Sequence, residues 1–224
     1  MKITAIIPVR AGSVRVKNKN IAPFAGSSLL EIKIKQLQNV ERINSVLVSS
    51  DSDTMLEIAT NMGCLVQKRP YEYCDEKTKT FNEVCEYVAK NTPGDLLIWA
   101  PCVCPNCDER CFNRGLDDYL LKTKNGDFDS VISGKIFKEY LFDENGPHNY
   151  IADKHVKSQD LPNWHTIVNG FYIASKDLMV KRRYFYGYKP YISILSKSEA
   201  IDIDDSLDFE FAEFVYKKEH QNGH

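Results

Sequence analysis

The stretch that most constrains this chain is its amino-terminal twenty residues. An apolar run carrying Ile3, Ala5, Ile6 and Ile7 reads as a buried strand that ends at Pro8. It leads directly into Val9-Arg10-Ala11-Gly12-Ser13-Val14-Arg15-Val16-Lys17-Asn18-Lys19-Asn20. A strand that ends in a loop with one glycine and four cations is suited to receive an anion at the carboxyl edge of a sheet. Gly12 permits a positive φ or a close backbone approach, which frees N–H groups to point at phosphate oxygens. Arg10, Arg15, Lys17 and Lys19 add charge on the same loop. A solvated basic turn is the alternative; the position straight after the first strand favours phosphate binding.

The rest of the chain has to supply a sheet for that strand, and 224 residues with 43% hydrophobic content suffice for one large α/β core. Lys plus Arg total 29 against 31 Asp plus Glu, so the basic loop is local and the balance argues against nucleic acid as a partner. No apolar run approaches the ~20 residues that span a bilayer, which argues against a membrane. Met1-Lys2 opens straight into the strand without a signal peptide, and the seven cysteines are an odd number. Both features point to reduced thiols in the cytoplasm.

Strand and helix patterns then alternate. Leu30, Ile34 and Leu37 fall at helical spacing, and Val46-Leu47-Val48 is a short strand running into Ser49-Ser50-Asp51. Asp53 caps a second helix facing inward through Ile58, Ala59 and Met62. Leu65-Val66 is a strand, Phe81, Val84, Cys85 and Val88 mark a helix, and Leu96-Leu97-Ile98-Trp99 is another strand. A helix with Phe112, Leu116, Tyr119 and Leu120 follows. This order implies a mainly parallel sheet with right-handed crossovers. Residues 135–165 are polar, aromatic and irregular, suited to an inserted arm that covers a cleft or mediates dimerisation. The sheet resumes at Val168-Asn169-Gly170-Phe171-Tyr172-Ile173-Ala174, and a last helix presents Leu207, Phe211, Phe214 and Val215.

Ala200-Ile201-Asp202-Ile203-Asp204-Asp205 is the second informative segment. On extended backbone alternate residues share a face, which sets two carboxylates ~7 Å apart while the isoleucines turn to the core. Such a pair suits a Mg²⁺ ion held by one or two carboxylates plus substrate phosphates. Helix capping accounts for Asp205 and Ser206 but not for two acids alternating with two isoleucines. Joined with the basic loop, the pair points to nucleoside-triphosphate chemistry.

Ile6-Ile7-Pro8-Val9-Arg10-Ala11-Gly12-Ser13 with Lys19-Asn20 resembles the amino-terminal signature of the CMP-sialic acid synthetase (acylneuraminate cytidylyltransferase) family. Val48-Ser49-Ser50-Asp51, Arg69-Pro70, Leu96–Pro101, Asn169-Gly170-Phe171-Tyr172-Ile173 and Ala200–Asp204 follow in that family's order. The resemblance implies a Rossmann-like nucleotidyltransferase fold over residues 1–224 as a single domain. It also implies a homodimer with an exchanged arm at 135–165, CTP as donor, an acidic sugar as acceptor and Mg²⁺ as cofactor. By the same resemblance Arg10, Ala11, Gly12, Ser13, Arg15, Asn20, Arg69 and Thr80 would hold the nucleotide. Arg10, Lys19, Asp202 and Asp204 would carry catalysis, with Asp202 and Asp204 as metal ligands. Pro101, Cys102, Asn169 and Gly170 would face the acceptor.

Departures from the family pattern fall on the sugar side. The loop lysine expected at position 14 is Val14, with Arg15 as the nearby cation, as in the related CMP-Kdo synthetases. The acceptor-contacting Gln-Pro-Thr-Ser-Pro loop reads Ala100-Pro101-Cys102-Val103-Cys104-Pro105, and Val168 replaces an Arg before Asn169-Gly170. These changes predict that N-acetylneuraminate is a poor acceptor. Kdo, a bacterial sialic-acid analogue and a non-sugar acceptor remain open, as does a catalytically silent nucleotide-binding homologue. Cys102, Cys104, Cys107 and Cys111 are dense enough to suggest Zn²⁺, but their spacing is no standard ligand pattern; unligated thiols are the simpler expectation.

Overall fold

Parallel neighbours flank β1 (Ile3–Pro8) on both sides, β2 (Ser45–Ser50) and β4 (Leu96–Trp99). The computed structural model describes residues 1–12, 15–75 and 77–221. Ile3, Ala5 and Ile7 pack into one buried layer and Ile6 into the other, the period-two pattern of a strand covered on both faces. The remaining sheet strands are β3 (Leu65–Lys68), β5 (Ser130–Phe137), β8 (Trp164–Ser175) and β9 (Pro190–Ile194). Their order is β3-β2-β1-β4-β8-β5-β9. The sheet is mainly parallel as expected, but β8 runs antiparallel to both β4 and β5.

Helices α1 (Leu29–Gln38), α2 (Asp53–Asn61), α3 (Phe81–Lys90), α4 (Glu109–Lys122), α5 (Lys176–Arg182) and α6 (Ser206–Gln221) cover the sheet. Polar caps fix where they start. Ser28 accepts the Glu31 N–H for α1, and Asp108 accepts from Arg110 and Cys111 for α4. For α2 the cap is Ser52 rather than Asp53, which lies in the first turn; the buried face is Met55, Leu56 and Ala59. From β1 the chain winds outward through β2 to β3, then crosses back to place β4 on the other side of β1. That reversal opens a crevice at the carboxyl ends of β1 and β4, where ligands bind in open α/β sheets.

Two expected elements differ. Lys135–Phe137 and Trp164–His165 belong to the β5–β8 ribbon, so the irregular arm is shorter than 135–165. It contains a small hairpin of β6 (Phe142–Asp143) and β7 (Gly146–Pro147). The apolar face read on the last helix is also the wrong one. Leu207, Phe211 and Phe214 are exposed, and α6 packs through Phe209, Ala212 and Tyr216. The buried ring of Phe24 decides this, meeting Phe209 and Tyr216 at centroid distances of 5.2 and 5.6 Å.

Candidate active site

At the β1–β4 crevice lies a cleft of about 730 Å³, within the size range of small-molecule and cofactor sites. Pro8, Val9 and Arg10 enter from the end of β1, with Arg15 and Lys19 from the loop that follows. Asp202 and Asp204 stand in the same cleft, and Trp99, Pro101, Tyr172 and Phe185 form its apolar wall. The basic loop and the acidic segment, predicted separately, are thus brought together.

The acidic segment is held from both sides of one residue. Ile203 is fully buried, its N–H donates to the Val103 carbonyl at 2.9 Å, and its carbonyl accepts from Lys19 Nζ at 2.6 Å. Asp202 and Asp204 therefore flank a clamped residue, although the segment is not a strand. Arg15 Nη1 lies 3.1 Å from Asp204 Oδ1, and both side chains are exposed. Burial, with Asp204 adding repulsion, raises the Asp202 carboxyl above the ordinary carboxylate value despite the opposing pull of Asn169 and Lys19. Burial likewise lowers Lys19 below the ordinary lysine value, against the attraction of Asp202 and Asp204.

Asn169 reaches Asp202 because β8 bulges. Ile132 pairs with Tyr172 and Gly134 with Ile167, so two steps on β5 face five on β8 and Val168–Phe171 loop out. The buried Ser133 hydroxyl stitches the bulge, lying 2.7 and 3.0 Å from the Val168 and Phe171 carbonyls and accepting the Phe171 N–H at 2.9 Å. Asn169 Nδ2 then donates to Asp202 Oδ2 at 2.7 Å, and its Oδ1 accepts from the Tyr172 hydroxyl at 2.8 Å.

At the far end of the cleft, the buried Arg69 donates to the Val9 carbonyl at 2.8 Å and to Cys74 Sγ at 2.9 Å. Arg10 Nη1 donates to the Cys74 carbonyl at 3.2 Å. Thr80 caps α3 in a reciprocal box with Glu83, which aims that helix N-terminus at the cleft. The sequence reading passed over the aromatic wall as well as Tyr73, Asp75 and Lys79. Tyr184-Phe185-Tyr186 was its one visible signal, an aromatic run whose Phe185 ring lies 4.1 Å from that of Tyr172.

Several expected site residues stand elsewhere. The Ala11 N–H donates to Asp51 Oδ1 at 2.8 Å, so a carboxylate of the protein holds the donor expected for phosphate. Gly12 has the expected positive φ of 79° but, like Ala11, does not line the cleft; Ser13 lies outside the described residues. Asn20 is buried, and its carbonyl accepts the Leu30 N–H at the start of α1. Gly170 packs inside the bulge, where an added Cβ would meet Cys107 Sγ, Leu195 and Ser133 Oγ at 3.1 Å. Cys102 is buried in the core, its thiol pushed up to about 12 by burial, and is not among the residues that line the cleft.

The whole Cys102–Cys107 loop is anchored beneath the cleft. Lys33, fully buried on α1, donates to the Cys104 and Cys107 carbonyls at 3.0 and 2.8 Å, and Gln36 donates to the Pro105 carbonyl at 2.6 Å. Cys102, Cys104, Cys107 and Cys111 are buried free thiols. Among the described residues no group of three or more His, Cys, Asp or Glu is arranged to hold a metal ion, and no helix is long and apolar enough to cross a membrane.

Residues 4–100 match the family described as cytidylyltransferase. The pseudaminic acid cytidylyltransferase of Campylobacter jejuni subsp. jejuni serotype O:2 is 24% identical over 99% of this chain and 99% of its own length. The N-acylneuraminate cytidylyltransferase of Escherichia coli O18:K1:H7 is 25% identical over 98% of this chain but only 53% of its own length. Among solved structures, a CMP:2-keto-3-deoxy-manno-octonic acid synthetase complexed with CTP superposes with a TM-score of 0.71 at 12% identity. That match covers 98% of this chain and 100% of that one. The 4-diphosphocytidyl-2C-methyl-D-erythritol synthase of Anaerococcus prevotii gives 0.65 at 17% identity, covering 96% and 98%. The resemblance read from the sequence holds, and the fold is the Rossmann-like nucleotidyltransferase fold.

Proposed function

We propose that this chain, similar along its whole length to CTP-dependent nucleotidyltransferases, transfers CMP from CTP to a nonulosonic, sialic-acid-like sugar with release of pyrophosphate. The observation that carries this reading is the convergence of Arg10, Arg15 and Lys19 with Asp202 and Asp204 in one cleft at the β1–β4 switch point. A triphosphate needs cations along its length, and transfer at its α-phosphate is governed by positioning and charge stabilisation. An acceptor hydroxyl attacks the α-phosphorus, its proton is lost, and the bond to the bridging oxygen of pyrophosphate breaks.

Two carboxylates directed into one cleft, with the Asp202 carboxyl raised by burial and by its neighbour, fit a divalent cation, which would relieve both penalties. Asp202 and Asp204 would hold Mg²⁺. When bound it supplies positive charge that offsets the developing charge on the transferring and departing phosphates. Lys19 keeps the carboxylates in place from the loop side, and Arg69 with Arg10 shapes the opposite end for a nucleoside.

The acceptor side supports an acylated sugar. Trp99, Tyr172 and Phe185, largely buried behind the cleft, give it an apolar wall suited to acyl and methyl substituents. The full-length relatives include pseudaminic acid cytidylyltransferases, whereas the N-acylneuraminate enzyme matches over about half its length. Pyrophosphate release with CTP and a panel of pseudaminate-type sugars, N-acetylneuraminate and Kdo tests the reading. Turnover of an acylated bacterial nonulosonate, with weak turnover of N-acetylneuraminate, is expected. Release with none of the panel would overturn the acceptor class, and release with ATP as efficiently as with CTP would overturn the cytidylyl assignment.

We also propose a homodimer built through the arm and the adjoining end of β8, where Tyr140, Phe142, Ile151 and Trp164 leave apolar surface exposed.

A further inference from the structure

We propose that Tyr172 is a positioning residue for the Asp202 carboxylate, acting through Asn169; this rests on the reading of Asp202 as a group that faces metal and phosphate. The Tyr172 hydroxyl donates to Asn169 Oδ1 at 2.8 Å, and Asn169 Nδ2 donates to Asp202 Oδ2 at 2.7 Å.

A primary amide can turn by half a revolution without changing shape, exchanging its donor for its acceptor. An ionised carboxylate only accepts, so Asn169 serves Asp202 in one of its two orientations and repels it in the other. Asp202 selects the orientation in which the amide donor faces it, and the phenol O–H, by donating to Oδ1, holds the amide there.

The need for such a lock follows from the bulge. Asn169 lies where β8 loops away from β5, so no ladder partner fixes its direction. Tyr172 sits where pairing has resumed, opposite Trp99 on β4 and Ile132 on β5. Its ring is buried, edge-on to Phe185 at 4.1 Å and stacked on Tyr186 at 6.0 Å. The hydroxyl is therefore held by the sheet. Ser133 fixes the backbone of the bulge and Tyr172 fixes its functional side chain.

Tyr172→Phe keeps the ring and removes only the lock. Mn²⁺ serves as the probe, its binding to the protein in the presence of CTP measured by electron paramagnetic resonance. Outer partners of metal ligands typically contribute 10- to 100-fold in affinity, and Tyr172→Phe is expected to weaken Mn²⁺ about tenfold while the melting temperature falls by no more than about 4 °C. Asn169→Asp, which sets an acceptor against Asp202, is expected to weaken it further. If Asp202→Asn binds Mn²⁺ and turns over like wild type, the reading of Asp202 fails and takes the proposal with it. If Asp202→Asn loses Mn²⁺ while Tyr172→Phe binds it with wild-type affinity, the proposal alone is overturned.

Discussion

The Lys19 ammonium donates at 2.6 Å to the carbonyl of Ile203, the residue that separates Asp202 from Asp204. A loop at one end of the chain and an acidic segment 184 residues away are thereby one unit. The lysine makes this bond with one of its three donors, and the other two can serve an anion in the cleft.

Replacing Lys19 should therefore affect both halves of the site. Lys19→Met is expected to raise KM for CTP and to lower kcat, each by about tenfold or more, the scale of one charged hydrogen bond. Steady-state kinetics at saturating Mg²⁺ measures both. Because burial lowers the lysine's pKa, wild-type activity should fall as pH rises through a value below 10.5. Stability has the opposite sign: between that value and 10.5 the unfolded chain holds more protons than the native one, so stability rises with pH there. An alkaline limb that persists unchanged in Lys19→Arg would assign it to another group.

Asp202→Asn and Asp204→Asn should each lower turnover by at least about a hundredfold, the scale of losing a catalytic charge contact. Asp202→Asn should at the same time raise the melting temperature of the metal-free protein by about 1–3 °C, because it removes a buried and repelled charge. The raised carboxyl sets the sign. Above the ordinary carboxylate value the native state retains the proton longer, so wild-type stability drops as pH climbs through the raised value. The gain should vanish in acid, where Asp202 is protonated. Calorimetry from pH 4 to pH 8 follows both trends.

CTP should stabilise the protein against heat more than ATP or GTP at equal concentration. Around Arg69, Cys74 and Thr80 the cleft wall is held in place by hydrogen bonds within the protein, a fixed frame expected to select the smaller pyrimidine ring. By mass action, 100 times the Kd adds about 2.7 kcal/mol, so a tenfold preference is easily read from melting temperatures. Equal shifts would contradict it.

Light scattering at micromolar concentration should give a mass near twice the 25.7 kDa of the chain. Phe142→Ser together with Trp164→Ser should shift that mass toward the monomer, since both side chains are exposed on the single subunit. A monomeric wild type would exclude the arm as an interface.

The frame of the fold was legible because strand residues carry their own signal. Ile3–Pro8 and Leu96–Trp99 are predominantly apolar and buried on both faces, and needed nothing distant to identify them. The direction of β8 was not legible, since an alternation of side chains is the same for either direction of a strand. The buried face of α6 was hidden too: its sequence offers two apolar stripes, and Phe24, far earlier in the chain, selects between them. Within the site, Lys19, Asp202 and Asp204 stood out by charge. Cys102 and Gly170 drew attention by motif but are occupied by packing, and Tyr172 depends on a bulge that only strand pairing reveals.

The twelve residues of β8 carry one further consequence. Trp164 at its arm end and Tyr172 near its sheet end lie on one continuous strand, with the bulge that carries Asn169 between them. In the proposed dimer, whatever grips the arm grips the same strand that carries Asn169. Its parity is also fixed: one residue inserted between Trp164 and Thr166 would turn the arm's side chains to the opposite face while leaving Tyr172 in register with Trp99 and the bulge that carries Asn169 in place. Such an insertion would separate assembly from chemistry within one strand, since only the arm-side half would be reversed.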